Sequence, residues 1–191
     1  MRKIILASTS PRRKALLGLL GIPFTVESSN YKENMKLRLA PVALVKTLSQ
    51  GKAEAVAKCH KDAIVIAADT IVVLKNKSLG KPKDARDAKR TLKMLSGKTN
   101  TVLTGYTVID TKKKKRISGV VATKVHFRKM TEEEINWYVK TKEPLDKGGS
   151  YAIQGRGGLF ISKIVGNYSN VVGLPLLAIQ KALGKFGVRI W

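Results

Sequence analysis

Apolar and polar positions along this chain follow two rhythms. Ile4 to Ala7 form an apolar run closed by Ser8-Thr9-Ser10, so residues 3–8 read as a buried strand. Ser10 then stands as an N-cap with Pro11 at the first helical position. That helix turns Ala15, Leu16, Leu19 and Leu20 inward and stops near Gly21. Residues 22–28 suit a second strand, and residues 29–40 are irregular and basic, with Glu33 their only acid. From Pro41 to about Lys58, Val42, Val45, Leu48, Ala53, Val56 and Ala57 recur at spacings near three and four. This predicts an amphipathic helix, weakened by Gly51.

Residues 63–74, AIVIAADTIVVL, are almost wholly apolar and β-branched. They read as a central strand, or as two strands with a break at Asp69-Thr70. After a turn at Asn76, Asp84 caps a helix that ends at Ser96-Gly97. Residues 100–110 and 117–127 alternate and predict a hairpin around Lys112–Arg116. Thr131 and Glu134 form a capping box for a helix to about Thr141. A glycine-rich segment follows, then strand-like residues 158–165 and a last helix over 175–184. Strands and helices interleave without repeat or linker. The class is α/β or α+β with a mixed sheet, and residues 1–191 read as a single domain.

Composition adds little until charge is considered. No run approaches the ~18 apolar residues of a membrane span, and the N-terminus has no secretory pattern. One cysteine, Cys59, excludes an internal disulfide framework. A cytoplasmic location without membrane association is the expectation. Thirty-seven Lys and Arg against thirteen Asp and Glu give a net charge of +24. Such a field attracts anions of any kind, and a lysine-rich solvated surface explains it equally well. The scarcity of acids is more informative, because a carboxylate inside an apolar run then stands out.

Asp69 is that carboxylate. Burying it is costly unless it is paired, hydrogen-bonded or metal-bound, and the run has no Gly, Asn or Pro to make Asp69 an exposed turn residue. The opening strand–turn–helix presents backbone N–H groups to an anion. Ser8, Thr9 and Ser10 add hydroxyls there, and Arg12 and Arg13 can form forked bonds to phosphate. Lys52 lies among small residues, and Lys81 is aimed by Gly80 and Pro82, so both are candidate phosphate contacts. Glu33 alone reads as a surface residue. With Asp69 it would supply the oxygen ligands that magnesium or manganese takes. In YAIQGRGGLF, Gly155, Gly157 and Gly158 permit close backbone approach, and Gln154 could read a base edge. Two histidines and one cysteine cannot form a zinc site. Lys112–Arg116 reads as a solvated hairpin tip, and His60 and Cys59 as structural.

Together, LASTSPRRKALL (6–17), GKAEAVA (51–57), IAADTIVVL (66–74), LGKP (79–82), MLSGKT (94–99), TKEPLDKGGSYAIQGRGGLFI (141–161) and NVVGLPL (170–176) resemble the Maf family of nucleoside triphosphate pyrophosphatases. The order and spacing of these segments carry the likeness. The resemblance implies a mixed twisted sheet flanked by helices, with two lobes around a central cleft, like the inosine triphosphate pyrophosphatases. It implies cleavage between the α- and β-phosphates of a nucleoside triphosphate, a divalent cation (Mg2+ or Mn2+) and a homodimer.

Asp69 matches the family's catalytic base. Arg12, Thr70 and Gln154 match the positions that mark the branch preferring dTTP and UTP, and modified pyrimidine nucleotides are further candidate substrates. Ser8, Arg13, Glu33, Lys52 and Lys81 match phosphate- or metal-binding positions, with Glu33 and Asp69 as the metal ligands. The house-cleaning role of the family has also been linked to cell-division arrest. Many members carry an extra acid just before Glu33, where this chain has Tyr31 and Lys32. The alternatives are the 7-methyl-GTP branch of the family and a basic nucleic-acid-binding module on this fold. With aromatics at only 6%, nucleic acid is not the expected partner.

Overall fold

The computed structural model describes residues 2–32 and 39–190. Among the described residues, seven strands form one mixed sheet: β1 (Lys3–Leu6), β2 (Thr25–Val26), β3 (Ala63–Leu74), β4 (Lys77–Leu79), β5 (Thr99–Asp110), β6 (Lys115–Phe127) and β7 (Ile161–Val165). Their order is β2-β1-β3-β5-β6-β7, with β4 also on β3. The helices are α1 (Pro11–Gly18), α2 (Pro41–Ala57), α3 (Ala85–Leu95), α4 (Glu132–Lys140), α5 (Tyr168–Val172) and α6 (Leu176–Lys185). Two compact units divide the chain. The first holds residues 1–69, 104–121 and 173–191, and the second holds 70–103 and 122–172.

In the first unit β1 pairs in parallel with both β2 and β3, with Ile5 opposite Thr25 and Leu6 opposite Ile66. Ile5, Ala7, Val65 and Ala67 face the same way by the strand period of two and pack against Ala53 and Val56 of α2. Gly105 of β5 shows how close α2 lies. A Cβ there would stand 2.1 Å from the carbonyl oxygen of Val45. Gly51, expected only to weaken α2, has the Tyr31 ring against it, and a Cβ would come within 2.3 Å of that ring.

The buried residues of α1 are Leu16 and Leu17, while Leu19 is 74% exposed. Ala15 is exposed as well. The expected inward face was therefore wrong in phase. At ~100° per residue, a face centred between Leu16 and Leu17 also carries Arg13 and Leu20 and excludes Ala15 and Leu19. Val42, in the first turn of α2, is likewise exposed.

The second unit encloses its own core, in which Leu92 and Leu95 of α3 and Ile135 and Tyr138 of α4 meet Val72, Val102, Phe127, Tyr151 and Phe160. Phe127 packs edge-on against Tyr151, and Tyr138 against Phe160. Asp84 caps α3 by accepting from Asp87 N at 2.7 Å, and the Thr131/Glu134 capping box opens α4.

Other expectations needed correction. Of the two readings of 63–74 the continuous strand holds, and Lys75 with the expected turn residue Asn76, both at positive φ, leads into β4, which the sequence pattern did not reveal. The second strand shrinks to the exposed pair Thr25–Val26. Residues 156–160 form a 3-10 turn before β7, and the short α5 was unforeseen. The hairpin tip is tethered. Lys112 pairs with Asp62 at 3.1 Å and Arg116 with Glu54.

Candidate active site

The parallel strands set the stage. With the order β2-β1-β3, β1 leads through α1 to one neighbour, and α2 leads into the other, so the connections diverge between β1 and β3. Ligands of open α/β sheets bind outside the carboxyl ends of strands at such a switch point. Ala7 N still donates to Ile66 O at 2.8 Å, and there β1 leaves the sheet while β3 continues. Ser8 and Asp69 emerge at this end.

Asp69 is 9% exposed. It lies on the same face of β3 as Val65 and Ala67, the face covered by α2. Lys52, beside the buried Ala53 of α2, forms an ion pair with the Asp69 carboxylate. Two sequence-predicted site residues thus meet directly, and the buried charge is matched.

Ser10 occupies the N-cap position of α1, but its side chain caps no backbone N–H, contrary to expectation. Its amide instead donates to Ser8 Oγ at 3.3 Å, and Arg13 Nη1 donates to the same oxygen at 3.3 Å. With two donors on that oxygen, the Ser8 O–H itself is left to donate to another group. Arg13 Nε donates to the Gly173 carbonyl at 2.9 Å. Arg13 therefore reaches Ser8 from the inward face of α1, which explains its phase. Arg12 sits half-buried one residue earlier. Ser8, Arg12, Arg13, Lys52 and Asp69 all belong to the first unit. Glu33 lies outside the described residues.

Thr70, Lys81 and Gln154 belong to the second unit. Thr70 follows Asp69 in β3 and is half-buried. Lys81 is exposed, in a loop held where Gly149 N donates to Gly80 O at 3.0 Å. Gly149 is at φ 72°, and its Cα packs so tightly on Val72 that a Cβ would come within 2.9 Å. Gln154 is exposed in the turn between Ala152 and Gly158.

The sequence reading missed Glu143. Its carboxylate accepts from the Tyr138 hydroxyl at 2.8 Å, from Gly157 N at 3.2 Å and from Arg156 N at 3.1 Å. Burial pushes its pKa up, but these three hydrogen bonds outweigh it and leave the carboxyl below its ordinary range. The signal was available in principle. The scarcity of acids that singled out Asp69 applies to Glu143, but Glu143 lies in no apolar run that would mark it as buried. His60, read as structural, pairs through Nε2 with Glu27 at 2.8 Å.

Among the described residues no three acids, histidines or cysteines cluster as a ready metal cage. Asp69 nevertheless fits a magnesium-type ion, which is ordinarily held by one or two carboxylates together with substrate phosphates.

An ion-paired acid and an arginine-held serine just beyond the parallel pairing of β1 and β3 put the candidate site at the switch point where open α/β proteins bind ligands. Within that class the chain belongs to the Maf family, since the model of the Maf-like proteins matches residues 3–186. It is 51% identical over 184 residues to a dTTP/UTP pyrophosphatase of Alkaliphilus oremlandii, covering 96% of this chain and 95% of the relative. It is 47% identical over 191 residues to a dTTP/UTP pyrophosphatase of Moorella thermoacetica, covering 100% and 98%. Among solved structures, a HAM1 protein from Coxiella burnetii matches over 98% of this chain and 99% of its own, with TM-score 0.53 and 11% identity. That likeness concerns the fold.

Proposed function

We propose that this chain hydrolyses dTTP and UTP between the α- and β-phosphates, giving the nucleoside monophosphate and pyrophosphate. The observation that carries the reading is Asp69, a buried carboxylate paired with Lys52 in the middle of β3, just beyond the residues that pair with β1. The names of the relatives from Alkaliphilus and Moorella support the same substrates.

A triphosphate brings about four negative charges, and catalysis of its cleavage rests mainly on positioning and charge neutralisation. The Ser8 hydroxyl donor, the guanidinium groups of Arg12 and Arg13, Lys52 and Lys81 supply that neutralisation. Asp69 orients a water and accepts its proton as the water oxygen bonds to the α-phosphorus. The bond from that phosphorus to the bridging oxygen breaks, and pyrophosphate departs with its electrons. A divalent cation, Mg2+ or Mn2+, held by Asp69 and by Glu33 would supply further charge neutralisation on the phosphates. Arg12, Thr70 and Gln154 select the pyrimidine. A site whose polar groups pair with the base rejects bases that leave them unpaired. Within this reading the enzyme works as a homodimer in the cytoplasm.

Pyrophosphate release measured over a panel of normal and modified triphosphates, with and without magnesium, tests the proposal. dTTP and UTP should lead the panel, and Asp69→Asn should abolish turnover while leaving the circular dichroism spectrum unchanged. Near-parent dTTP hydrolysis by the folded Asp69→Asn protein would overturn the assignment.

A further inference from the structure

The turn that carries Gln154 is anchored on both sides by one hydrogen-bond network built on the half-buried Glu143 and the buried Tyr138. On its entry side, Ala152 N donates to the Tyr138 hydroxyl at 3.2 Å. On its exit side, Arg156 N and Gly157 N donate to the two oxygens of Glu143. The Tyr138 hydroxyl in turn donates to Glu143 Oε1 at 2.8 Å, closing the network. Tyr138 is fully buried, with its ring held against Phe160.

The glycines on either side of Arg156 make this approach possible. A Cβ on Gly155 would fall 2.4 Å from Glu143 Oε1, and one on Gly157 would fall 2.6 Å from the Tyr138 hydroxyl. Backbone therefore sits where no side chain could, and the glycine-rich character of the segment serves the carboxylate beneath it. Gln154 itself is exposed between the two anchors.

We propose that Glu143 is a positioning residue for base selection: it holds the Arg156 and Gly157 amides and thereby fixes the orientation from which Gln154 meets the pyrimidine. This rests on the reading that Gln154 contacts the base. A carboxylate suits the task because it is acceptor-only and can take several donors at once. A glutamine in its place would turn an NH2 group toward one backbone N–H, setting donor against donor.

The experiment compares kcat/KM for dTTP and UTP with kcat/KM for dGTP and GTP in Glu143→Gln, Tyr138→Phe, Gln154→Ala and the Glu143→Gln/Gln154→Ala double variant. Losing a hydrogen bond to a charged group costs roughly a factor of ten. Glu143→Gln should thus narrow the pyrimidine-to-purine ratio about tenfold, and Tyr138→Phe, which keeps the ring packing and the carboxylate, should narrow it less. Gln154→Ala should narrow the ratio as well, and the double variant should narrow it no further. A uniform loss across all four substrates in Glu143→Gln and Tyr138→Phe, with Gln154→Ala still narrowing the ratio, overturns the positioning role alone. An unchanged ratio in Gln154→Ala overturns both that role and the base-reading assignment. If Glu143→Gln fails to fold, Tyr138→Phe decides on the same criterion.

Discussion

The ammonium of Lys52 and the carboxylate of Asp69 form an ion pair between α2 and the middle of β3. Both side chains are mostly buried, so the pair is a matched charge rather than a surface bridge. Removing one member leaves the other buried and uncompensated. Lys52→Met should therefore destabilise the fold by about 1–3 kcal/mol and lower kcat/KM for dTTP, and Lys52→Met/Asp69→Asn should recover part of the stability. Denaturant melts of Lys52→Met, Asp69→Asn and the double variant decide this. Additive losses in the double variant would show that the pair contributes no coupling.

A second buried carboxylate predicts how the fold responds to acid. Asp110 accepts from Nη1 and Nη2 of Arg2 at 2.6 Å each and from Lys113 N at 2.8 Å. The Arg2 hydrogen bonds pull its pKa from 3.8 to about 2, against the opposing effect of burial. The native state therefore favours the charged form. Its contribution is complete above about pH 4 and is lost as pH falls toward 2, a loss of about 2 kcal/mol. The stability difference between the parent and Asp110→Asn should shrink by that amount between pH 5 and pH 2 in urea melts. A difference that stays constant over this range would contradict the assignment.

These two carboxylates mark the limits of what the sequence reveals. Asp69 was legible because a lone acid in an apolar strand has few explanations. Its pairing was not: Lys52 read as a phosphate contact, and only the fold brings it against Asp69. The long strands and the capped helices α3 and α4 were legible from period and capping chemistry. The exposed two-residue β2 had no burial to pattern it. The phase of α1 was hidden because Leu16, Leu17, Leu19 and Leu20 offer two consistent faces, and the contact of Arg13 with Ser8 selects between them.

Gly105 gives a purely steric prediction. A methyl group there would stand 2.1 Å from the Val45 carbonyl and 2.4 Å from its carbon, both rigid backbone atoms of α2. Gly105→Ala must push α2 away from β5, at an overpacking cost of about 1–3 kcal/mol. The expected fall in Tm is roughly 2–4 °C per kcal/mol for a chain of this size. Because α2 carries Lys52, activity should fall beyond what reduced stability explains, measured well below Tm. Unaltered Tm and kcat/KM in Gly105→Ala would mean that α2 does not rest on β5 at this point.

Arg13 makes the sharpest test of the anion site. Its guanidinium spans two acceptors, the Gly173 carbonyl at 2.9 Å and Ser8 Oγ at 3.3 Å. A lysine ammonium is a compact point of charge without the rigid fork that lets the guanidinium serve both acceptors. Arg13→Lys therefore keeps the net charge but releases Ser8 and the start of α1 from Gly173. Its kcat/KM for dTTP should fall by about a factor of ten or more, from the loss of charge-assisted hydrogen bonds. Ser8→Ala should cost a comparable factor alone and little more when added to Arg13→Lys, because the two act as one unit. Steady-state kinetics on the two single variants and the double variant separate the possibilities. Full activity in Arg13→Lys would reduce the residue to a source of charge, and fully additive losses would mean that Ser8 binds phosphate without its help.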